Sequence, residues 1–240
     1  MNIINSCTTQ KIWESQESFE KIQEKIASIP KTPEFKHILN EISKLQGRTI
    51  LDVGCGTGRW TFYLGSKGYE AIGIDFAPKI LRRVKTISPG KHIFIIADAR
   101  KLPFISGCID FIISLGVIEH FPDNIEAIRE FYRVLRFKGG VFITVPNILC
   151  FPHVVTRFIK KKLNKWELDY ECSYSINSLK RTLEKSGFKI AKLGTLDFER
   201  TLKMLFPGKI WNRRPPYFLI KMIERLNLPI GFMVYAIAYK

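Results

Sequence analysis

Three glycines, two carboxylates and a glutamate–histidine pair are the residues of this chain whose spacing could do chemistry. Gly54, Gly56 and Gly58 alternate in Leu51-Asp52-Val53-Gly54-Cys55-Gly56-Thr57-Gly58, between the apolar stretch Thr49-Ile50-Leu51 and a helix expected to begin near Arg59-Trp60. Glycine accepts the left-handed backbone of a tight turn and leaves main chain bare for a ligand to press against. Asp75 follows a second apolar stretch, Ala71-Ile72-Gly73-Ile74, 17 residues beyond Gly58. A carboxylate at the tip of a second strand can accept hydrogen bonds from both hydroxyls of a ribose. Glu119-His120 is the third group; imidazole titrates in the range needed to take a proton from a hydroxyl.

The glycine spacing is G-x-G-x-G, not the G-x-G-x-x-G of dinucleotide sites. Asp52, two positions ahead of the first glycine, would repel a pyrophosphate at the turn. It would suit a ligand carrying an ammonium or sulfonium group. The balance shifts from a nicotinamide dinucleotide to S-adenosylmethionine, which has a ribose and an adenine but no phosphate.

Alternating patterns supply the frame that must position these residues. Strands are expected near 49–53, 70–75, 92–97, 109–114 and 140–145, and helices near 58–67, 78–87 and 122–135. Pro78 and Pro122 sit at helix N-termini. Such alternation requires a parallel sheet with helices on both faces. Ahead of it, the stretch from Lys11 to Ile29 sets Ile12, Phe19, Ile22, Ile26 and Ile29 at near-helical spacing. Pro30 and Pro33 interrupt it, and a second helix runs from about Glu34 to Leu45. Residues 147–173 break the rhythm and read as an insertion. The rhythm resumes with a helix after Ser175, a stop at Gly187 and a strand from Phe188. A helix near 216–226 and a strand from about Gly231 to Tyr239 finish the chain.

Five segments, in this order, resemble the class I S-adenosylmethionine-dependent methyltransferases, in the group that includes small-molecule and quinone-biosynthesis enzymes. They are the glycine turn; Gly73-Ile74-Asp75-Phe76-Ala77-Pro78; Ala97-Asp98-Ala99-Arg100-Lys101-Leu102-Pro103-Phe104; residues 111–121, ending Val117-Ile118-Glu119-His120-Phe121; and residues 133–143 around Gly139-Gly140. The resemblance implies a Rossmann-like, doubly wound α/β fold. Its seven-stranded sheet is mostly parallel with the last strand antiparallel, and it carries N-terminal helices and an inserted helical lid. Residues 1–46 would form a helical cap and 47–240 the methyltransferase domain, with 147–173 as the lid that grips the acceptor.

The same resemblance assigns the site. Backbone around Gly54, Gly56 and Gly58 holds the methionine end of the cofactor, with Asp52 near its ammonium through a water. Asp75 takes the ribose, Phe76 packs on the adenine, and Asp98 with the Ala99 amide clamps the adenine edge. Leu115 touches the cofactor, and no metal is implied. Glu119 and His120 are candidates for removing a proton from the acceptor, although the pair recurs in the family whatever the acceptor, which also fits a role in cofactor geometry or capping. The activity implied is direct methyl transfer to an oxygen, nitrogen or carbon of a small-molecule or lipid-like acceptor. Methylation of transfer RNA and a non-catalytic, cofactor-binding partner subunit are the alternatives. Ser114-Leu115-Gly116-Val117 stands where amino-nitrogen DNA methyltransferases carry (D/N)-P-P-(Y/F), and no Pro-Cys pair offers a nucleophile for a pyrimidine ring.

Charge narrows the partner. Lys and Arg number 38 and Asp and Glu 22 among 240 residues, a net charge of +16. Residues 1–46 are balanced, 47–150 carry +5 and 151–240 carry +11, so basicity concentrates where this fold usually grips its acceptor. A phosphorylated metabolite, nucleic acid or an anionic membrane surface would satisfy it, as would a plain lysine-rich solvated face. From Pro152 to Trp166, Val154, Val155, Phe158, Ile159, Leu163 and Trp166 recur at helical spacing, with Arg157, Lys160, Lys161, Lys162 and Lys165 between them. Such a helix can lie in a headgroup layer as a peripheral membrane contact, or cover an apolar pocket. The stretch from Trp211 to Phe218 could supplement it. His153, Tyr170 and Glu171 read as surface residues that could face the acceptor.

Cys7, Cys55, Cys108, Cys150 and Cys172 are dispersed without C-x-x-C spacing, which argues against a disulfide framework and a zinc site. With no signal-peptide pattern in the first residues, a cytoplasmic location, peripheral at the membrane surface if the basic helix docks there, is expected.

Overall fold

The computed structural model describes residues 22–87, 92–166, 170–205, 217–226 and 228–240. Seven strands form one sheet: β1 (Thr49–Val53), β2 (Glu70–Asp75), β3 (Ile93–Ile96), β4 (Ile109–Leu115), β5 (Leu135–Pro146), β6 (Lys189–Leu196) and β7 (Met233–Tyr239). Their order is β3-β2-β1-β4-β5-β7-β6. The first five pair in parallel, and β7 runs antiparallel to both β5 and β6. Strand order reverses between β1 and β4, which opens a crevice at their carboxyl ends where ligands of doubly wound sheets bind.

The described helices are α1 (Ile22–Ser28), α2 (Phe35–Ile42), α3 (Arg59–Ser66), α4 (Pro78–Ile87), α5 (Asn124–Val134), α6 (Phe151–Lys162), α7 (Ile176–Lys185), α8 (Phe198–Leu205) and α9 (Tyr217–Arg225). They cover both faces of the sheet, so β4 is buried at every residue but Leu115. Side chains alternate along each strand. Leu51 and Val53 of β1 join Ile112, Phe131 and Val141 in one core, while Ile50 joins Trp60, Leu64, Phe111 and Phe142 in the other. Each large side chain so buried contributes about 1.5–3 kcal/mol.

The expected elements are present, with changes at their edges. β5 begins at Leu135, five residues before the expected start, because Leu135 still pairs with Ile109 across a register shift. α5 begins at Asn124 with Asp123 before it, so Pro122 precedes the helix instead of opening it. α8 was not anticipated; it is a single short amphipathic helix that buries Phe198 and Thr201. Of the helix expected from Lys11 to Ile29, Ile22–Ser28 is α-helical and Ile29–Lys31 tightens into a 3-10 turn. Residues 11–21, and 211–216 of the second basic cluster, lie outside the described residues. The insertion opens at Asn147, fully buried, whose side-chain amide donates to the carbonyls of Pro229 and Gly231 at 2.9 and 2.8 Å. That ties the entrance of the lid to the start of β7.

Candidate active site

Between β1 and α3 the chain turns through three left-handed glycines, with φ of +69° at Gly54, +51° at Gly56 and +73° at Gly58. A Cβ on Gly54 would lie 2.4 Å from the Val117 methyl, and one on Gly58 2.6 Å from the Phe94 ring. Backbone conformation and packing therefore both exclude a side chain at these two positions. The turn is pinned to the tip of β2. Cys55 N donates to the Ile74 carbonyl at 2.9 Å. Asp75 Oδ2 accepts from Gly56 N at 2.8 Å, and its Oδ1 accepts from Ala77 N at 2.9 Å. Asp75 remains half-buried, and the neighbouring Phe76 ring is 38% exposed. A partly open carboxylate beside an open aromatic ring and a bare backbone turn is a cradle that fits a nucleoside.

Asp52 faces the other way. It shares the face of Ile50, under α3, and its Oδ2 accepts from Thr61 N at 3.2 Å and Thr61 Oγ1 at 2.8 Å. Thr61 N is one of the amides that a helix start leaves without an intrahelical partner, so what Asp52 positions directly is the first turn of α3. Burial pushes its carboxyl up to about 6, against the hydrogen bonds from Thr61. Asp98 is bound by its neighbour: Arg100 donates to it from the backbone N at 2.8 Å and from Nη2 at 2.7 Å. Partial burial raises this carboxyl, but the Arg100 bonds outweigh it and hold it below the usual carboxylate range. Ala99 is buried behind it.

A cavity of about 540 Å³ opens at the ends of β4, β5 and β6 and the start of β7. Leu115 and Gly116 line it, and Val117 next to them packs on the glycine turn. The cavity thus adjoins the nucleoside cradle. Glu119 and His120 both reach its wall. Glu119 is 2% exposed, its Oε2 has no hydrogen-bond partner, and burial pushes its carboxyl up to about 8. At neutral pH it therefore carries its proton. His120 Nδ1 lies 3.2 Å from the Tyr170 carbonyl, an oxygen that can only accept. The proton belongs on Nδ1 and the lone pair on Nε2. Burial lowers this imidazole, against the Tyr170 contact that raises it.

Two residues expected at the surface are instead inside. His153 of α6 and Glu171 have side chains 10% and 8% exposed, both line the cavity, and Nε2 meets Oε1 at 3.3 Å. Arg157 approaches the same oxygen at 3.4 Å. Burial raises the Glu171 carboxyl, but His153, with His120 and Arg157, brings it below its ordinary value. Helical spacing could not reveal this, because the partner lies 18 residues away across the lid. Trp166, of the stretch expected to cover a pocket, lines the cavity with its ring 6.4 Å from that of His153. Asp197 and Arg200, which sequence gave no reason to single out, also line it, the guanidinium lying 3.8 Å over the Phe232 ring. Among the described residues no three His, Cys, Asp or Glu side chains are grouped to hold a metal ion, and no helix is long and apolar enough to cross a membrane.

Residues 51–144 match the family described as a methyltransferase domain. Demethylmenaquinone methyltransferase of Staphylococcus epidermidis is 30% identical over 135 residues, 52% of this chain and 55% of that protein. The chloroplastic tocopherol O-methyltransferase of Arabidopsis thaliana is 32% identical over 124 residues, 49% of this chain and 36% of the relative. The alignments thus span about half or less of these relatives' length. A solved S-adenosylmethionine-dependent methyltransferase from Archaeoglobus fulgidus superposes with a TM-score of 0.60 at 20% identity, over 85% of this chain and 92% of that one, and shares its fold.

Proposed function

We propose that this chain, a member of the class I S-adenosylmethionine-dependent methyltransferases, methylates a lipid-like acceptor seated in the cavity beside the glycine turn. The observation that carries this reading is the contact between the two sites: Val117 packs on Gly54, and Leu115, Gly116, Glu119 and His120 line the cavity. When bound, the cofactor supplies a methyl group already activated by its sulfonium, so the protein need only align the acceptor and take up its proton. Asp75 and the backbone of the turn hold the ribose and the methionine end, Asp52 bracing the turn through α3. Phe76 lies on the adenine, and Asp98, Ala99 and Leu115 complete its pocket.

On the acceptor side, His120 Nε2 accepts the proton of an acceptor hydroxyl, and the Tyr170 carbonyl fixes the tautomer that makes this possible. Glu119, protonated, donates a hydrogen bond into the cavity and adds no charge that would exclude an apolar molecule. Quinone and tocopherol methyltransferases among the relatives support an acceptor of this kind. The helix expected as a peripheral membrane contact, residues 152–166, contributes His153 and Trp166 to the cavity wall, so a lipid reaching the site passes beside it.

Calorimetric titration with S-adenosylhomocysteine, against NADH as control, tests the cofactor site; binding of the first alone is expected. Labelled S-adenosylmethionine with a lipid extract and with transfer RNA tests the acceptor, and label is expected in the organic phase. Label in RNA alone would overturn the lipid reading. Binding with no turnover on any extract would leave a partner subunit.

A further inference from the structure

We propose that α6, α8 and α9 form a docking face for an anionic lipid bilayer at the mouth of the acceptor cavity. Its purpose rests on the reading of that cavity as a lipid site, but its evidence does not. Of the 17 exposed large apolar side chains among the described residues, 12 fall in 148–163 and 205–230. These stretches are far apart in sequence, and α8, packed against both α6 and α9, brings them to one side of the molecule.

On α6 the only buried residue is His153, which points into the cavity. At about 100° per residue, Phe151 and Phe158 lie on the opposite side of the helix, 70% and 66% exposed. On α9 and just beyond it, Phe218, Met222 and Leu226 repeat every four residues along one face, 68%, 49% and 60% exposed. Both helices thus keep an apolar stripe that the protein core does not cover.

Charge selects the occupant. Residues 160–165 carry four exposed lysines and no acidic side chain. A second copy of this chain would set these cations against each other, and lysine is depleted in protein interfaces. Phosphate-bearing headgroups above an acyl layer satisfy both features: lysines reach the phosphates while the aromatic rings enter the apolar boundary. Each basic side chain near an anionic surface strengthens partition severalfold.

Co-sedimentation of the full chain with vesicles of phosphatidylcholine alone, and of phosphatidylcholine mixed with phosphatidylglycerol, decides the matter. Strong binding to the mixed vesicles, falling about tenfold or more on neutral vesicles and at high salt, is expected. Two variants at exposed positions, Phe151→Ser with Phe158→Ser and Lys160→Gln with Lys161→Gln, should each lower partition about tenfold, with S-adenosylhomocysteine affinity unchanged. Equal binding to both vesicle types, no binding to either, or variants that partition like the parent would overturn the proposal. A concentration-dependent dimer abolished by the same variants would reassign the face to a second copy. Loss of the cofactor reading would appear in the calorimetry and leave the vesicle result standing.

Discussion

Asp75 and Glu119 are both acids at the carboxyl edge of one sheet, and their surroundings are opposite. Asp75 is half open and takes two backbone N–H groups, one from Gly56 of the glycine turn and one from Ala77 just beyond its own strand. Glu119 is sealed, with one oxygen unpartnered and its carboxyl raised to about 8 by burial. The cofactor end of the sheet therefore presents a fixed charge on a rigid backbone frame, suited to hydroxyls and to a cationic ligand. The acceptor end keeps its Glu–His pair neutral in a cavity whose wall mixes Leu115, Leu196 and Phe232 with the ionisable Glu34, Arg59, Glu171, Asp197 and Arg200. On the function proposed above, binding and proton handling are divided between two regions that meet at Leu115–Val117.

The largest effect that would test this division is at His120. His120→Ala should slow turnover by about 10²–10⁴-fold and leave S-adenosylhomocysteine affinity as it was. If affinity fell in step with turnover, His120 would belong to the cofactor end and the division would fail. In the parent, burial holds the imidazole below its usual range, so the acid limb of the turnover profile should also lie below that range.

Stability against pH separates the two buried carboxyls. Glu119 titrates near 4.5 when unfolded and about 8 when folded, so its contribution is fully present below the unfolded value and is lost as pH rises through about 8. The loss is on the order of 4 kcal/mol. Asp52 acts with the same sign but is finished at about pH 6, so the fall between about pH 6 and 8 is that of Glu119. Urea unfolding of the parent should show this fall, and Glu119→Gln should remove it. A parent curve no steeper than that of the variant across this window would mean the acid is not buried in its protonated form.

Why one end was legible and the other was not follows from these same residues. Gly54 and Gly58 are required by their own φ and by neighbours a single Cβ would strike, and Asp75 marks the end of a strand, so local sequence carries the cofactor end. The strands and most helices follow for a similar reason: period and punctuation are local. Asp52 was recognised as important, but its direction depends on strand alternation and on Thr61, nine residues on. At the acceptor end His153, Glu171 and the pair Asp197 and Arg200 come from three separate segments and matter because tertiary packing buries or stacks them. A lysine-rich helix looks the same whether its histidine faces water or a cavity.

Asp75→Ala comes next in size. Losing charge-assisted bonds to the ribose, each worth about 1.5–3 kcal/mol, should weaken S-adenosylhomocysteine binding by at least the worth of one such bond, with turnover at saturating cofactor little changed. A fall in saturated turnover with affinity intact would move Asp75 from holding the ligand to aligning the reaction.

The smallest effect is expected at Asp98, and it sharpens the contrast within the cofactor end itself. The Asp98 side chain is 42% exposed and already accepts from the backbone and guanidinium of Arg100, whereas Asp75 accepts from the backbone N–H groups of Gly56 and Ala77. An adenine amine must share the Asp98 carboxylate with a guanidinium in partial contact with water, where an ion pair is worth about 1 kcal/mol or less. Asp98→Ala should therefore cost no more than about 1 kcal/mol in S-adenosylhomocysteine affinity. In an Arg100→Ala background the same substitution should cost more, because the carboxylate then answers to the ligand alone. Equal losses in both backgrounds would show that Arg100 does not compete, and a loss as large as that of Asp75→Ala would make the adenine end as firmly held as the ribose.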